Sequence, residues 1–154
     1  MRGPYTQLFV HMTWATWDRA PLLDAELLQV VDTAIRRECV KMKVDVIAFG
    51  GVADHVHLLV RFPTTISISK LVQQVKGTSS HLLNQRLKIP FKWQGYYGAF
   101  TVSKRLIPQI RAYVLNQEQH HREGTIVPAA EPPEMDSPDE APPRALEPPP
   151  HQSL

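Results

Sequence analysis

The stretch VDVIAFGGVADHVHLLVRF, residues 44–62, decides the fold. Two runs rich in β-branched and apolar residues are hinged around Gly50, Gly51 and Asp54. That pattern predicts an antiparallel hairpin whose second strand covers about 55–62. Successive side chains of a strand leave opposite faces, so His55 and His57, two apart, place both imidazoles on the same one. Such a pair can grip a divalent metal or contact a phosphate, although a pair of this kind on a strand is more often structural. Asp54 precedes it at the turn, and Val56, Leu58, Leu59 and Val60 hold the strand in place.

Upstream, YTQLFVHMTWAT (5–16) reads as a strand, and 18–21 form a polar break. Asp24 is placed to cap a helix through AELLQVVDTAIRREC, where Leu27, Val30, Val31, Ala34 and Ile35 recur at helical spacing. Downstream, Pro63 and Thr64 break the chain and Thr65 is the expected cap of a helix over 66–87, with Ile68, Leu71, Val72, Val75, Leu82 and Leu83 on one stripe. An aromatic loop, FKWQGYYG, leads to a strand near 99–103. A last helix is expected over about 106–121, with Pro108 tolerated in its first turn. The order β-α-β-β-α-β-α predicts an α+β fold, ferredoxin-like or RRM-like, with helices packed on one face of an antiparallel sheet.

Charge divides the chain in two. The net charge of +2 combines a body, residues 1–127, at +7 with a tail, 128–154, at −5 that holds 9 of the 14 prolines. The tail is expected to be disordered, because it cannot bury enough apolar surface to fold alone. The basic body points weakly to a polyanionic partner. A lone cysteine, Cys39, excludes a disulfide scaffold, and an inert buried thiol is the expectation for it. No apolar run reaches the length of a membrane span, and the N-terminus lacks a signal peptide's layout, so a cytoplasmic protein is expected.

Three further groups can carry chemistry. Tyr113 and Gln117 in RAYVLNQEQHH stand four apart on one helical face. They read either as an ordinary surface pair or as a phenolic nucleophile beside an amide oxygen available to a metal. Lys70, Lys76, Arg86, Lys88, Lys92 and Lys104 interleave with Phe91, Trp93, Tyr96 and Tyr97, the mixture of bases and rings that holds single-stranded nucleic acid, or else a solvated face beside core aromatics. His120 and His121 are adjacent, so on a helix they diverge and chelate poorly; with Arg122 they suit the helix dipole or a phosphate.

In order and spacing, HMTWATWDRAPLL, DHVHLLVRF, SISKLVQQVKGTSSHLLN, WQGYYGAFTVSK and YVLNQEQHHR resemble the single-tyrosine HUH transposases, those of the smallest bacterial insertion sequences, with the REP-associated transposases as relatives. The resemblance covers about 5–122. It implies that His55 and His57 are metal ligands, Gln117 the third, and Tyr113 the nucleophile. The implied activity is metal-dependent cleavage and rejoining of single-stranded DNA at hairpins through a 5′-phosphotyrosine. A homodimer is implied, in the bacterial cytoplasm and associated with the nucleoid, with no membrane and no organic cofactor. Two imidazoles and an amide are softer than a typical magnesium cage, so Mg²⁺ is expected to keep waters, with Mn²⁺ a good substitute. After HHR, GTIVPAAEPPEMDSPDE replaces the family's usual further helical stretch, a departure expected to leave those four residues untouched. The rival expectation is a domesticated, non-catalytic hairpin-binding protein. A zinc hydrolase lacks, in sequence, a third strong ligand and a nearby carboxylate base.

Overall fold

The computed structural model describes residues 3–124, 126–127 and 131. The elements run β1 (Phe9–Ala15), α1 (Ala25–Met42), β2 (Asp45–Val52), β3 (His55–Arg61), α2 (Ile68–Arg86), β4 (Gly98–Val102), α3 (Ile107–Leu115) and α4 (Gln117–Glu123), with 3-10 turns at Trp17–Arg19 and Lys104–Leu106. The strands form a four-stranded sheet in the order β2-β3-β1-β4, antiparallel throughout. This is the expected α+β class and the ferredoxin-like order. The expected tail, 128–154, lies outside the described residues except for Glu131.

Strand alternation splits the sheet into two unlike faces. Val10, Met12 and Trp14 of β1 and Val56, Leu58 and Val60 of β3 point to one side, where α1 and α2 close the main core with Val31, Ile35, Leu71, Val75 and Leu83. His11, Thr13, His55, His57 and Leu59 take the opposite parity. Here the expectation of helices on one face is corrected. On that second side Ala48 and Leu59 pack with Val114 of α3, with Ile107 and Ile110 beside them. Buried imidazoles need cover as much as valines do, and α3 supplies it.

Local signals set most boundaries. Asp24 caps α1, its Oδ1 accepting from Leu27 N–H at 2.8 Å. The cap of α2 is Ser67, not Thr65: its Oγ accepts from Lys70 N–H at 3.1 Å. Ile66 and Leu71, the positions on either side of that cap that form a hydrophobic staple, both join the core and draw the helix start two residues later. The expected single last helix is two, broken at Asn116 (φ −107°, ψ 32°), whose side-chain Nδ2 donates to Ala112 O at 2.9 Å. Among the described residues no helix is long and apolar enough to cross a membrane.

Gly50 lies inside β2 opposite His57, not in the turn. A Cβ there would stand 1.8 Å from Val114 O and 2.9 Å from its carbonyl carbon. The backbone of α3, one residue from Tyr113, therefore rests directly on this glycine. Gly50→Ala must push the helix off the sheet. It is expected to cost about 1–3 kcal/mol, a drop in Tm of roughly 4–12 °C in a calorimetric scan.

Candidate active site

β3 carries His55 and His57 on the sheet face beneath α3 and α4, and both are fully buried. Each imidazole is held from its Nδ1 side. His55 Nδ1 lies 2.7 Å from Asp54 Oδ1, and Asp54 is also 3.4 Å from the Arg19 guanidinium. His57 Nδ1 lies 2.9 Å from Nε2 of His11, a buried residue of β1. Both Nε2 atoms are thereby turned toward the same space.

Tyr113 of α3 and Gln117 of α4 close that space. Tyr113 is buried, its ring edge-on to His57 with centroids 5.9 Å apart and tilted against His120 at 4.7 Å. The Gln117 side chain donates from Nε2 to Tyr113 O at 2.9 Å, while its Oε1 is buried with no hydrogen-bond partner.

The tail supplies a residue that sequence reasoning missed. Glu131 Oε2 lies 2.7 Å from His55 Nε2 and 3.3 Å from His57 Nε2, and Oε1 accepts a hydrogen bond from the Tyr113 hydroxyl. The hydroxyl also accepts from Val127 N–H at 2.9 Å. The expectation that the divergent tail leaves the four residues untouched is therefore corrected: Glu131 contacts three of them. His121 joins the group as well. Its ring centroid is 4.8 Å from that of His55, and its buried Nε2, without a hydrogen bond, is 3.6 Å from Glu131 Oε2. Its signal was present in sequence, because it stands one helical turn after Gln117. Glu131 gave none, lying in a stretch without periodicity.

The electrostatics follow from burial and this carboxylate. Burial works against a charged His55, but Asp54 and Glu131 outweigh it and raise its pKa. For His57 burial prevails and the pKa is lowered. His11 is pushed down to about 4 by burial and by His57, so it is neutral at pH 7. Burial opposes ionisation of Glu131, yet the His55 and His57 imidazoles that face it hold it well below the usual carboxylate range. Tyr113 is pushed up to about 12 by burial and by its bond to Glu131.

The residues fit a divalent ion. The facing donor atoms of His55, His57 and Glu131 all lie within 4.8 Å of one another. His55 Nε2, despite its 2.7 Å approach to Glu131, makes no aligned hydrogen bond and, like Gln117 Oε1, is a buried acceptor left over. Buried polar atoms without partners are few in folded proteins, and several facing donors of metal-ligating type make a coordination site.

The remaining sequence candidates lie apart from this cluster. Lys76, Lys92 and Trp93 line a cleft of about 420 Å³ between α2 and the 91–97 loop, together with Gln73, Gln94 and Tyr97. Within it, Lys76 Nζ donates to Gln94 O and to Tyr96 O, and Lys92 lies 3.9 Å over the Trp17 ring. Trp93 is a core residue, edge-on to Trp14 and Phe91, with its Nε1 donating to Ser79 Oγ at 2.9 Å. Arg86 stands 3.5 Å from Glu26, Tyr96 is half-buried, and Lys70, Lys88 and Lys104 are exposed. Cys39 is buried in α1, its thiol pushed up to about 11 by that burial.

A ferredoxin-like sheet that presents two buried histidines to a buried tyrosine defines the class of this α+β domain. The family described as "Transposase IS200 like" matches residues 4–117, and the chain belongs to it. It is 28% identical over 129 residues to the ISDra2 transposase TnpA of Deinococcus radiodurans, covering 79% of this chain and 91% of that one. To the transposase for insertion sequence element IS200 of Salmonella typhimurium it is 27% identical over 122 residues, covering 74% and 79%. Among solved structures, a putative transposase from D. radiodurans superposes with a TM-score of 0.62 at 27% identity, covering 76% of this chain and 95% of that one. A REP-associated tyrosine transposase bound to a REP hairpin gives 0.60 at 16% identity, covering 82% and 74%, and shows the shared fold. Both His121 and Glu131 lie beyond residues 4–117, the stretch that matches the family.

Proposed function

We propose that this transposase cleaves and rejoins single-stranded DNA marked by hairpins, through a 5′-phosphotyrosine on Tyr113 and with a divalent ion held by His55, His57, Gln117 and Glu131. One observation carries the reading. The Tyr113 hydroxyl and the two histidine Nε2 atoms contact opposite oxygens of one carboxylate. Nucleophile and ligand nitrogens thus stand about as far apart as the oxygens of one phosphate allow.

A divalent ion bound there would polarise a non-bridging oxygen of the scissile phosphate. The chain does the rest. Asp54 and His11 orient the two imidazoles, and α3 with α4 shields the site from bulk water. The Tyr113 proton already points at Glu131 Oε1, the acceptor in place when the phenolic oxygen forms its bond to phosphorus; the P–O3′ bond breaks, and the leaving oxygen takes a proton from water to become a hydroxyl. That hydroxyl later attacks the phosphotyrosine and rejoins the strand, so bond energy is conserved and no organic cofactor is required.

Hairpin recognition is supported by the REP-associated neighbour, whose structure holds a REP hairpin. Lys70, Lys76, Arg86, Lys88, Lys92 and Lys104, with Trp93 and Tyr96, are the proposed DNA contacts. The buried setting of Trp93 gives it the part of shaping the cleft. A homodimer and a place with the nucleoid complete the reading, on the strength of the family resemblance.

The proposed ion is Mg²⁺, with Mn²⁺ substituting. Two histidines and a carboxylate are also a zinc set, so the objection that no carboxylate is near falls with Glu131. The test is a hairpin oligonucleotide incubated with each metal in turn, read as a covalent protein–DNA band. A band with Mg²⁺ or Mn²⁺ supports the reading. Metal-independent hairpin binding without any band would favour a non-catalytic binder, and a band with Zn²⁺ alone would replace the metal. Glu131→Ala is expected to weaken Mn²⁺ binding about tenfold or more in calorimetric titration. Unchanged affinity would mean that the carboxylate is no ligand.

A further inference from the structure

We infer that His11 is a positioning residue for the proposed metal centre: it accepts the Nδ1–H of His57 and so fixes the ring that presents Nε2 to the ion. The inference rests on the metal reading above and adds a residue outside the proposed ligand set.

Three observations carry it. The His11 Nε2 to His57 Nδ1 distance is 2.9 Å, both side chains are buried, and the rings lie at 23° with centroids 5.1 Å apart. The ladder explains the meeting: Thr13 is directly opposite His57, so His11 is the diagonal neighbour on the same face, within reach of a long side chain. Third, the arrangement is matched on the other ligand, where Asp54 holds His55 from the same ring position at 2.7 Å.

Valence then dictates the direction of the bond. If His57 gives its Nε2 lone pair to an ion, its proton must sit on Nδ1, and the atom facing Nδ1 must accept. His11 Nε2 does so, which places the His11 proton on its own Nδ1. Without this acceptor the His57 ring can turn over and present Cε1 in place of Nε2, with little to choose between the two orientations. A packing role alone gives no reason for an imidazole here. Leucine or phenylalanine would fill the space beside Phe100, whose ring is 5.9 Å away, without burying a polar group.

The experiment compares His11→Phe, His11→Gln and His57→Ala with the unmodified chain. It reads Mn²⁺ affinity by electron paramagnetic resonance of the free ion, Tm, and hairpin binding in EDTA. Glutamine places an amide oxygen close to where Nε2 stood, whereas phenylalanine keeps the volume and removes the acceptor. The expected result is a 10–100-fold loss of Mn²⁺ affinity in His11→Phe, recovered to within about threefold in His11→Gln, with hairpin binding in EDTA unchanged in both. Unchanged Mn²⁺ affinity in His11→Phe overturns the inference. So does an equal loss in the phenylalanine and glutamine variants, which would assign the effect to packing. If His57→Ala itself keeps full affinity, the metal reading fails, and that outcome is distinct from either of these.

Discussion

Tyr113→Phe protein, given a hairpin-bearing single strand and Mn²⁺, forms no covalent adduct, a loss of at least about 10³-fold against the unmodified chain. The ring that packs on His57 and His120 is retained, and only the hydroxyl bonds to Glu131 and Val127 are lost, so the fold survives the change. Among the described residues, no other tyrosine or cysteine touches the histidine pair. Tyr96 and Tyr97 lie on the loop beyond α2, and Cys39 is buried in α1 with its thiol pushed up to about 11. Denaturing electrophoresis of labelled oligonucleotide reads the result directly. A phenylalanine variant with an undiminished adduct would end the assignment of Tyr113.

His57→Ala is expected to abolish cleavage while hairpin affinity, measured in EDTA at fixed salt, stays within about threefold, since backbone neutralisation by lysine and arginine dominates such binding. The proposed contacts on α2 and its following loop are on elements other than β3. The substitution also strands His11, whose Nε2 loses its partner, at a cost of about 1–3 kcal/mol. Binding is therefore measured well below the lowered Tm. Loss of binding in step with cleavage would mean that the histidines support the fold or the DNA rather than an ion.

The sheet was readable because strand periodicity is local. Alternation over 55–61 put the two histidines on one face without knowledge of any partner strand, and Asp24 announced α1 through a bond three residues long. What escaped depends on distance in the chain. His11 looks like one more residue of an apolar strand until the register of β1 against β3 is known. The break at Asn116 hides in an unbroken helical pattern, because asparagine is tolerated mid-helix and only its side-chain bond to Ala112 O marks the end. Helices on both faces follow from Gly50, whose missing side chain signals a close approach but not what approaches. Spacing alone put Tyr113 and Gln117 on one helical face, and only the resemblance to a family lent them roles. Glu131 was not legible, because nothing in a proline-rich acidic stretch distinguishes one acid from the next five.

That last residue divides the labour of the site in an unusual way. The histidines, the tyrosine and the glutamine sit on strands and helices that cannot change without disturbing the sheet. The carboxylate comes from beyond α4 and beyond the residues shared with the family. On the proposed reading, substitution of Glu131 would alter the choice of ion, or the acidity of the tyrosine, while the folded body stays as it is. Glu131 is then the adjustable component of the proposed site.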